Sequence, residues 1–218
     1  MFTKMPVNLF VFILFSFMSS MAIAESIRIV DQFDVPIENV VVSFKVSDSV
    51  NNDKHDVAIM DQVDKQFAPQ VLVVQKNQTV SFPNSDDIRH HLYSFSKPKQ
   101  FEFKMFKGGE SKSLTFDQTG IVVLGCNIHD QMIGYIYVAD NESTVVTNNQ
   151  GIAQVPRAGL AVKLWHPRLS ANKIDRKDLQ LGSSNTEHPL TVTLTLLADV
   201  KTSTKSKFGS KQFKRGNQ

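Results

Sequence analysis

From residue 25 onward the apolar positions of the chain fall into short runs or strict alternations, and stripes with the 3.6-residue period of a helix are hard to find. Turn residues interrupt these runs about every eight to twelve positions, the pattern of a β-sandwich or barrel. Val71–Val74 is followed by the polar turn Lys76-Asn77-Gln78 and then by Thr79–Phe82. Leu92–Phe95 comes next. Phe101, Phe103 and Met105 alternate with Glu102 and Lys104, which predicts a half-buried strand. Lys107-Gly108-Gly109-Glu110 turns the chain into Ser113–Phe116, and Asp117-Gln118-Thr119-Gly120 turns it into Ile121–Leu124. Ile133–Val138 closes the series. About seven strands over some 75 residues make a complete Greek-key sandwich by count.

Two flanks remain. Ile27–Val30 and Val40–Phe44 read as strands joined through Val35-Pro36, and strands are expected at Val145–Thr147, Ala161–Trp165 and Thr191–Leu197. Three or four strands in some fifty residues make a marginal core alone. The economical arrangement pairs the two flanks, 25–65 with 141–200, and leaves 66–140 as an insertion between them. The alternative is that the flanking strands extend the central sandwich.

The ends of the chain change the picture of charge and location. Met1–Ala24 carries Lys4, the apolar run Val7–Met18 and the small-residue signal Ala22-Ile23-Ala24, so cleavage before Glu25 and export are expected. An uncleaved anchor is the competing reading, but the run falls short of the ~20 residues of a spanning helix. Lys201–Gln218 holds six Lys or Arg and no acid, so the formal net charge of +3 divides into a mildly acidic body and a cationic tail. The tail lacks apolar periodicity and reads as a disordered, solubilising segment, with contact to lipid or an acidic partner as its functional alternative. An exported protein with an acidic body points away from nucleic acid. A hydrophobic share of 41% excludes wholesale disorder, and a single cysteine excludes an intramolecular disulfide framework.

Chemistry concentrates in one short stretch. A lone cysteine is usually a buried small hydrophobe, and Cys126 does follow the apolar run Ile121–Leu124. Its neighbours point elsewhere. Cys126-Asn127-Ile128-His129-Asp130-Gln131-Met132 puts a thiol, an imidazole and a thioether within seven residues, on a tight loop between two strands. Thiolate plus thioether selects copper over magnesium or calcium, and a second imidazole completes the His₂Cys set with a weak axial Met. His90-His91, just past a strand end and after the turn Asn84-Ser85-Asp86-Asp87, supplies that imidazole. Adjacent strand residues point to opposite faces, so only one of the pair can serve. Structural zinc prefers four strong ligands, and a Met in fourth place argues for copper.

Three motifs carry a family resemblance: Val80-Ser81-Phe82-Pro83-Asn84-Ser85-Asp86, Arg89-His90-His91-Leu92-Tyr93-Ser94-Phe95-Ser96, and Gly125-Cys126-Asn127-Ile128-His129-Asp130-Gln131-Met132. With them, Phe67–Val138 resembles the cupredoxins, blue copper proteins of the plastocyanin/amicyanin type, and within these the bacterial methylamine-utilisation or plastocyanin-like periplasmic proteins. The resemblance implies an all-β Greek-key sandwich that holds one type 1 copper ion. His90, Cys126 and His129 would be its equatorial ligands and Met132 its axial one, with His91 as the competitor of His90. Two positions depart from the family pattern: Ile128 stands where a Pro is common, and His91 where an Asn is common. More weakly, Val35–Val42 and Thr147–Val155, with Trp165-His166-Pro167 near the end, resemble a carboxypeptidase regulatory-like sandwich. Trp165 and His166 are expected to be packed rather than to form a surface binding pair.

The function this implies is one-electron transfer with a periplasmic redox partner. A copper carrier, store or sensor is the alternative. An apolar patch of Ile128, Ile133 and Leu92 would exclude water and offer a docking face. Catalysis is not expected. Cys126 and His129 lack the third residue of a hydrolytic constellation, and a second copper would need histidines when only the scattered His55, His166 and His188 remain.

Overall fold

The computed structural model describes residues 25–45, 55–156, 160–182 and 189–199. The expected export segment 1–24, the expected disordered tail 201–218 and His188 lie outside them. The first flank supplies strands β1 (Glu25–Val30) and β2 (Val41–Phe44). The middle supplies β3 (Ala58–Ile59), β4 (Asp61–Val63), β5 (Gln66–Ala68), β6 (Val71–Gln75), β7 (Gln78–Pro83), β8 (His90–Ser94), β9 (Phe101–Phe106), β10 (Ser111–Phe116), β11 (Gly120–Gly125) and β12 (Ile133–Ala139). The second flank supplies β13 (Ser143–Val146), β14 (Ile152–Val155), β15 (Ala161–Trp165), β16 (Lys177–Gln180) and β17 (Leu190–Thr193). No helix occurs among the described residues.

The flanks pair with each other. One sheet runs β14-β1-β17 and a second runs β13-β2-β15-β16. Ile27, Ile29, Val42, Phe44, Val162 and Leu164 fill the space between them. Thr147 locks the two flanks together. Its hydroxyl donates to Ile37 O at 2.7 Å and accepts from Val40 N at 2.9 Å. That clamp takes Thr147 out of the strand expected to include it, which ends at Val146. The strand expected over Thr191–Leu197 likewise ends at Thr193. Leu194 and Leu196 stay buried, and the Gln32 side chain bonds both the N–H and the C=O of Leu196.

The middle is a second sandwich. Its sheets run β6-β12-β11-β8-β9 and β10-β7-β3, and the chain crosses between them after β6, β7, β9 and β10. Parallel pairing of β6 with β12 and of β3 with β7 closes each sheet. The short strands β3 and β4, which the pattern alone groups with the N-terminal flank, pair with β7 and β5. Phe67, Phe82, Leu92, Phe116, Leu124 and Ile136 are among the core residues. Strand β9 departs from its expected alternation: Met105 is exposed and Phe106 is buried. A register shift opposite His90 and Leu92 explains this. His90 pairs with Phe106 and Leu92 with Phe103, so one extra residue is accommodated on β9.

The two sandwiches share a third core. Alternate residues of β6, β11 and β12 point away from the central core, and Val71, Ile121, Tyr135, Tyr137 and Ala139 pack there against Val41 and Trp165 of the flank sandwich. The Trp165 ring lies 5.7 Å from Tyr135 and 6.0 Å from Tyr137. Polar groups close the rim. The Tyr137 hydroxyl sits 3.0 Å from Ser43 Oγ and from Glu142 Oε1, and the Arg176 guanidinium lies 4.5 Å over the Tyr137 ring. Trp165 is thus packed, with its indole N–H donating to Lys173 O at 2.9 Å.

His166 is packed as well. Its Nδ1 accepts the Arg168 N–H at 3.2 Å, and burial, helped by the Arg168 charge, pushes its pKa down to about 4. The unfolded chain takes up this proton near pH 6.5 and the folded one only near 4, so folding stability should be full above 6.5 and fall as pH drops between the two values. The expected loss is on the order of 3 kcal/mol. Urea unfolding of wild type and His166→Asn across that window measures it, and equal pH slopes for the two proteins would contradict the assignment.

Candidate metal centre

The site lies at one end of the central sandwich, where β8 begins and β11 ends. Gly125, the last residue of β11, pairs with Tyr93 on one side and Ile133 on the other. Strand parity then turns Cys126 inward, as it does Leu124 two residues earlier, and both are buried in the central core. The same parity separates the two adjacent histidines. His90 faces the core with Leu92, whereas His91 turns to the other face, where its Nε2 meets Glu102 Oε1 at 2.8 Å and its ring packs 5.5 Å from Tyr93. The chain after Cys126 folds back through a tight turn, with Met132 N–H donating to His129 O at 2.9 Å. That turn leaves His129 half-buried and returns Met132 to the core, 1% exposed, in the same apolar cluster as Cys126.

Three donor atoms converge. His90 Nδ1 lies 3.9 Å and His129 Nδ1 3.7 Å from Cys126 Sγ, and one ligand atom from each residue lies within 4.8 Å of the others. These spacings fit a metal ion. Bonds of about 2.0–2.1 Å to nitrogen and about 2.3 Å to sulfur hold N and S roughly 3.8 Å apart in a trigonal arrangement and roughly 3.6 Å apart in a tetrahedral one. A thiolate with two imidazoles and a nearby thioether is the soft donor set that suits copper.

The sequence reading passed over the residues that hold this set. Asp86 Oδ2 lies 2.6 Å from His90 Nε2 and accepts the Lys65 N–H at 3.0 Å, while Oδ1 accepts the Asp64 N–H at 2.7 Å. Burial pushes the Asp86 carboxyl up, but the hydrogen bonds from Lys65, His90 and Asp64 outweigh it and hold the group below the usual carboxylate range. Asn84 is 1% exposed and shapes the loop, donating through Nδ2 to Ile88 O and Phe106 O and accepting the Asp86 N–H. In the sequence both residues stand in a turn motif, and nothing there distinguishes Asp86 from Asp87 as the neighbour of an imidazole. Burial pushes the His129 pKa down and favours its neutral form.

The apolar surface differs from the expected one. Ile128 and Ile133 are exposed beside His129, but Leu92 is fully buried in the core and belongs to no surface patch. A cleft of about 510 Å³ opens between the 64–70 segment and the 129–133 turn, lined by Lys65, Phe67, His129 and Met132 among others.

No family model matches the chain, and no curated protein matches it. Solved structures do. The chain is similar to a copper-containing nitrite reductase from Thermus scotoductus, at 26% identity over 44% of this chain and 25% of that one, with a TM-score of 0.38. It thus spans a quarter of that enzyme's length. It is also similar to a purple cupredoxin from Nitrosopumilus maritimus, at 19% identity over 38% of this chain and 99% of that one, with a TM-score of 0.34. A reduced variant of amicyanin matches at 18% identity over 47% of this chain and 100% of that one, with a TM-score of 0.36. The strand pairing and the thiol–imidazole cluster agree with the all-β sandwich and the donor set expected from the sequence.

Gly108 offers a test of the loop. A Cβ there would run into the Asp86 carbonyl oxygen. Gly108→Ala should therefore displace the 84–86 turn and cost about 1–3 kcal/mol in denaturant unfolding. The amide resonances of Asp86 and His90 should shift with it. An unchanged spectrum would mean that the turn is not held where it is by this contact.

Proposed function

We propose that the protein is a periplasmic type 1 copper protein that exchanges single electrons with a partner protein and turns over no substrate of its own. The observation that carries this reading is the convergence of His90 Nδ1, Cys126 Sγ and His129 Nδ1 at one end of a packed sandwich. Copper bound there would supply the chemistry, a reversible change of one electron.

The chain's own residues do the rest. Cys126 gives up its thiol proton and binds as thiolate. His90 presents Nδ1, because its Nε2 is engaged by Asp86. His129 presents Nδ1 from a half-buried position beside the exposed Ile128, which supports electron passage through the His129 side of the site. Met132, buried in the same core cluster as Cys126, would supply the thioether in this reading. The donors stand on strand ends and a short turn braced by the core, which favours one shared geometry for both oxidation states. Met1–Ala24, with its apolar run and Ala22-Ile23-Ala24, supports export.

A second reading is a copper carrier without redox turnover. The cleft lined by His129 and Met132 favours it, because it opens a route by which a partner could reach the donors.

Titration of the protein from Glu25 with Cu(II), followed by visible and EPR spectra beside a Cys126→Ala variant, tests both. The expected result is an intense thiolate charge-transfer band with narrow copper hyperfine splitting that saturates at one equivalent and vanishes in the variant. A weak spectrum indifferent to Cys126 would remove the copper reading. Given the band, fast reversible voltammetry favours electron transfer, and slow redox with ready copper loss to a chelator favours the carrier.

A further inference from the structure

We infer that Asp86 is a positioning residue for the metal centre: it fixes the ring orientation and tautomer of His90 and places a negative charge beside the bound ion. This rests on the copper reading for its second half only.

His90 is fully buried, so no solvent competes for its ring nitrogens. At 2.6 Å, the Asp86 carboxylate is a strong acceptor for the Nε2 proton. With Nε2 engaged, Nδ1 is the nitrogen left for a ligand, and Nδ1 is the atom that faces Cys126 Sγ at 3.9 Å. The carboxylate is itself immobilised. Both of its oxygens accept backbone N–H groups from Asp64 and Lys65, two residues whose positive φ angles of 53° and 60° aim those groups at one point. The hairpin turn between β4 and β5 thereby holds Asp86, and Asp86 holds His90. A carboxylate on the outer nitrogen of a ligating imidazole also makes the ligand more basic. A full negative charge at this range favours the more positive oxidation state of the metal and so lowers the potential.

The test uses Asp86→Ala and Asp86→Asn beside wild type. Nitrogen-15 NMR of the metal-free proteins reads the His90 tautomer, and Cu(II) affinity and the reduction potential are then measured on the same samples. In wild type, His90 should be a single Nε2–H tautomer. Asp86→Ala should lose that single tautomer and bind Cu(II) about 10–100-fold more weakly. Asp86→Asn can still offer a carbonyl oxygen to Nε2–H. It should keep the tautomer and shift the potential upward, a change that a purely structural role would not produce. A fixed Nε2–H tautomer in Asp86→Ala, with Cu(II) affinity within twofold of wild type, would overturn the positioning role. An unshifted potential in Asp86→Asn would overturn the charge effect. If wild type shows the fixed tautomer but takes up no Cu(II), the copper reading fails and the orienting role of Asp86 stands.

Discussion

The molecule depends on one sheet that is buried on both faces. Strands β6, β11 and β12 alternate with the period of two that any strand imposes, yet both sets of side chains are apolar. Leu124, Ile136 and Val138 point into the central core, while Ile121, Tyr135 and Tyr137 point toward Trp165 of the flank sandwich. Two-sided burial leaves no tolerance for slippage, since a one-residue shift would exchange the two sets. Tyr137 shows what the second face demands. Its hydroxyl must reach Ser43 and Glu142, and burial pushes its pKa up to about 12. The flank sandwich is therefore packed against the back of the sheet that carries the candidate metal centre.

That fixed register is what assembles the donors. Cys126 stands one residue beyond the end of β11, so its inward direction follows from the position of Leu124. His90 opens β8 and shares a face with Leu92. Slipping β8 by one residue would bring His91 to the thiol and send His90 toward Glu102. The extra residue on β9 has a part in this, because it lets Phe106 rather than Met105 pack inward opposite His90. A cluster drawn from two separate places in the sequence is thus held by backbone pairing rather than by contacts among the donors themselves.

Much of this was legible beforehand, and the reason is that the signals were local. Alternation marks strands, Gly and Asn mark turns, and the spacing of Cys126, His129 and Met132 lies within a single loop. The strands β3, β4 and β5 were missed because each is only two or three residues long, too short for a period to register. The Thr147 clamp and the Asp86 brace were missed for a different reason. Each joins segments with no sequence relation: Asp86 lies more than twenty residues from the Asp64 and Lys65 amides it accepts. The choice between His90 and His91 stood between these cases. Alternation said that only one could face the thiol, and the Glu102 contact is what accounts for the other.

The donor set also carries a direction. Asp86 engages Nε2 of His90, so Nδ1 is the nitrogen of that ring turned to the thiol. The Cys126 sulfur lies between the two rings, 3.9 Å from Nδ1 of His90 and 3.7 Å from Nδ1 of His129. The order runs from an anchored carboxylate, through a fully buried ring and a buried thiol, to a half-buried ring at the surface. Constraint decreases along that line: His90 is held by its partner and its burial, and His129 by a turn bordered on one side by a cleft. An ion held here would have the fixed imidazole of His90 on one side of the thiol and the more adaptable one of His129 on the other. The rigid half of the donor set thus lies in the core, and the adaptable half lies at the cleft.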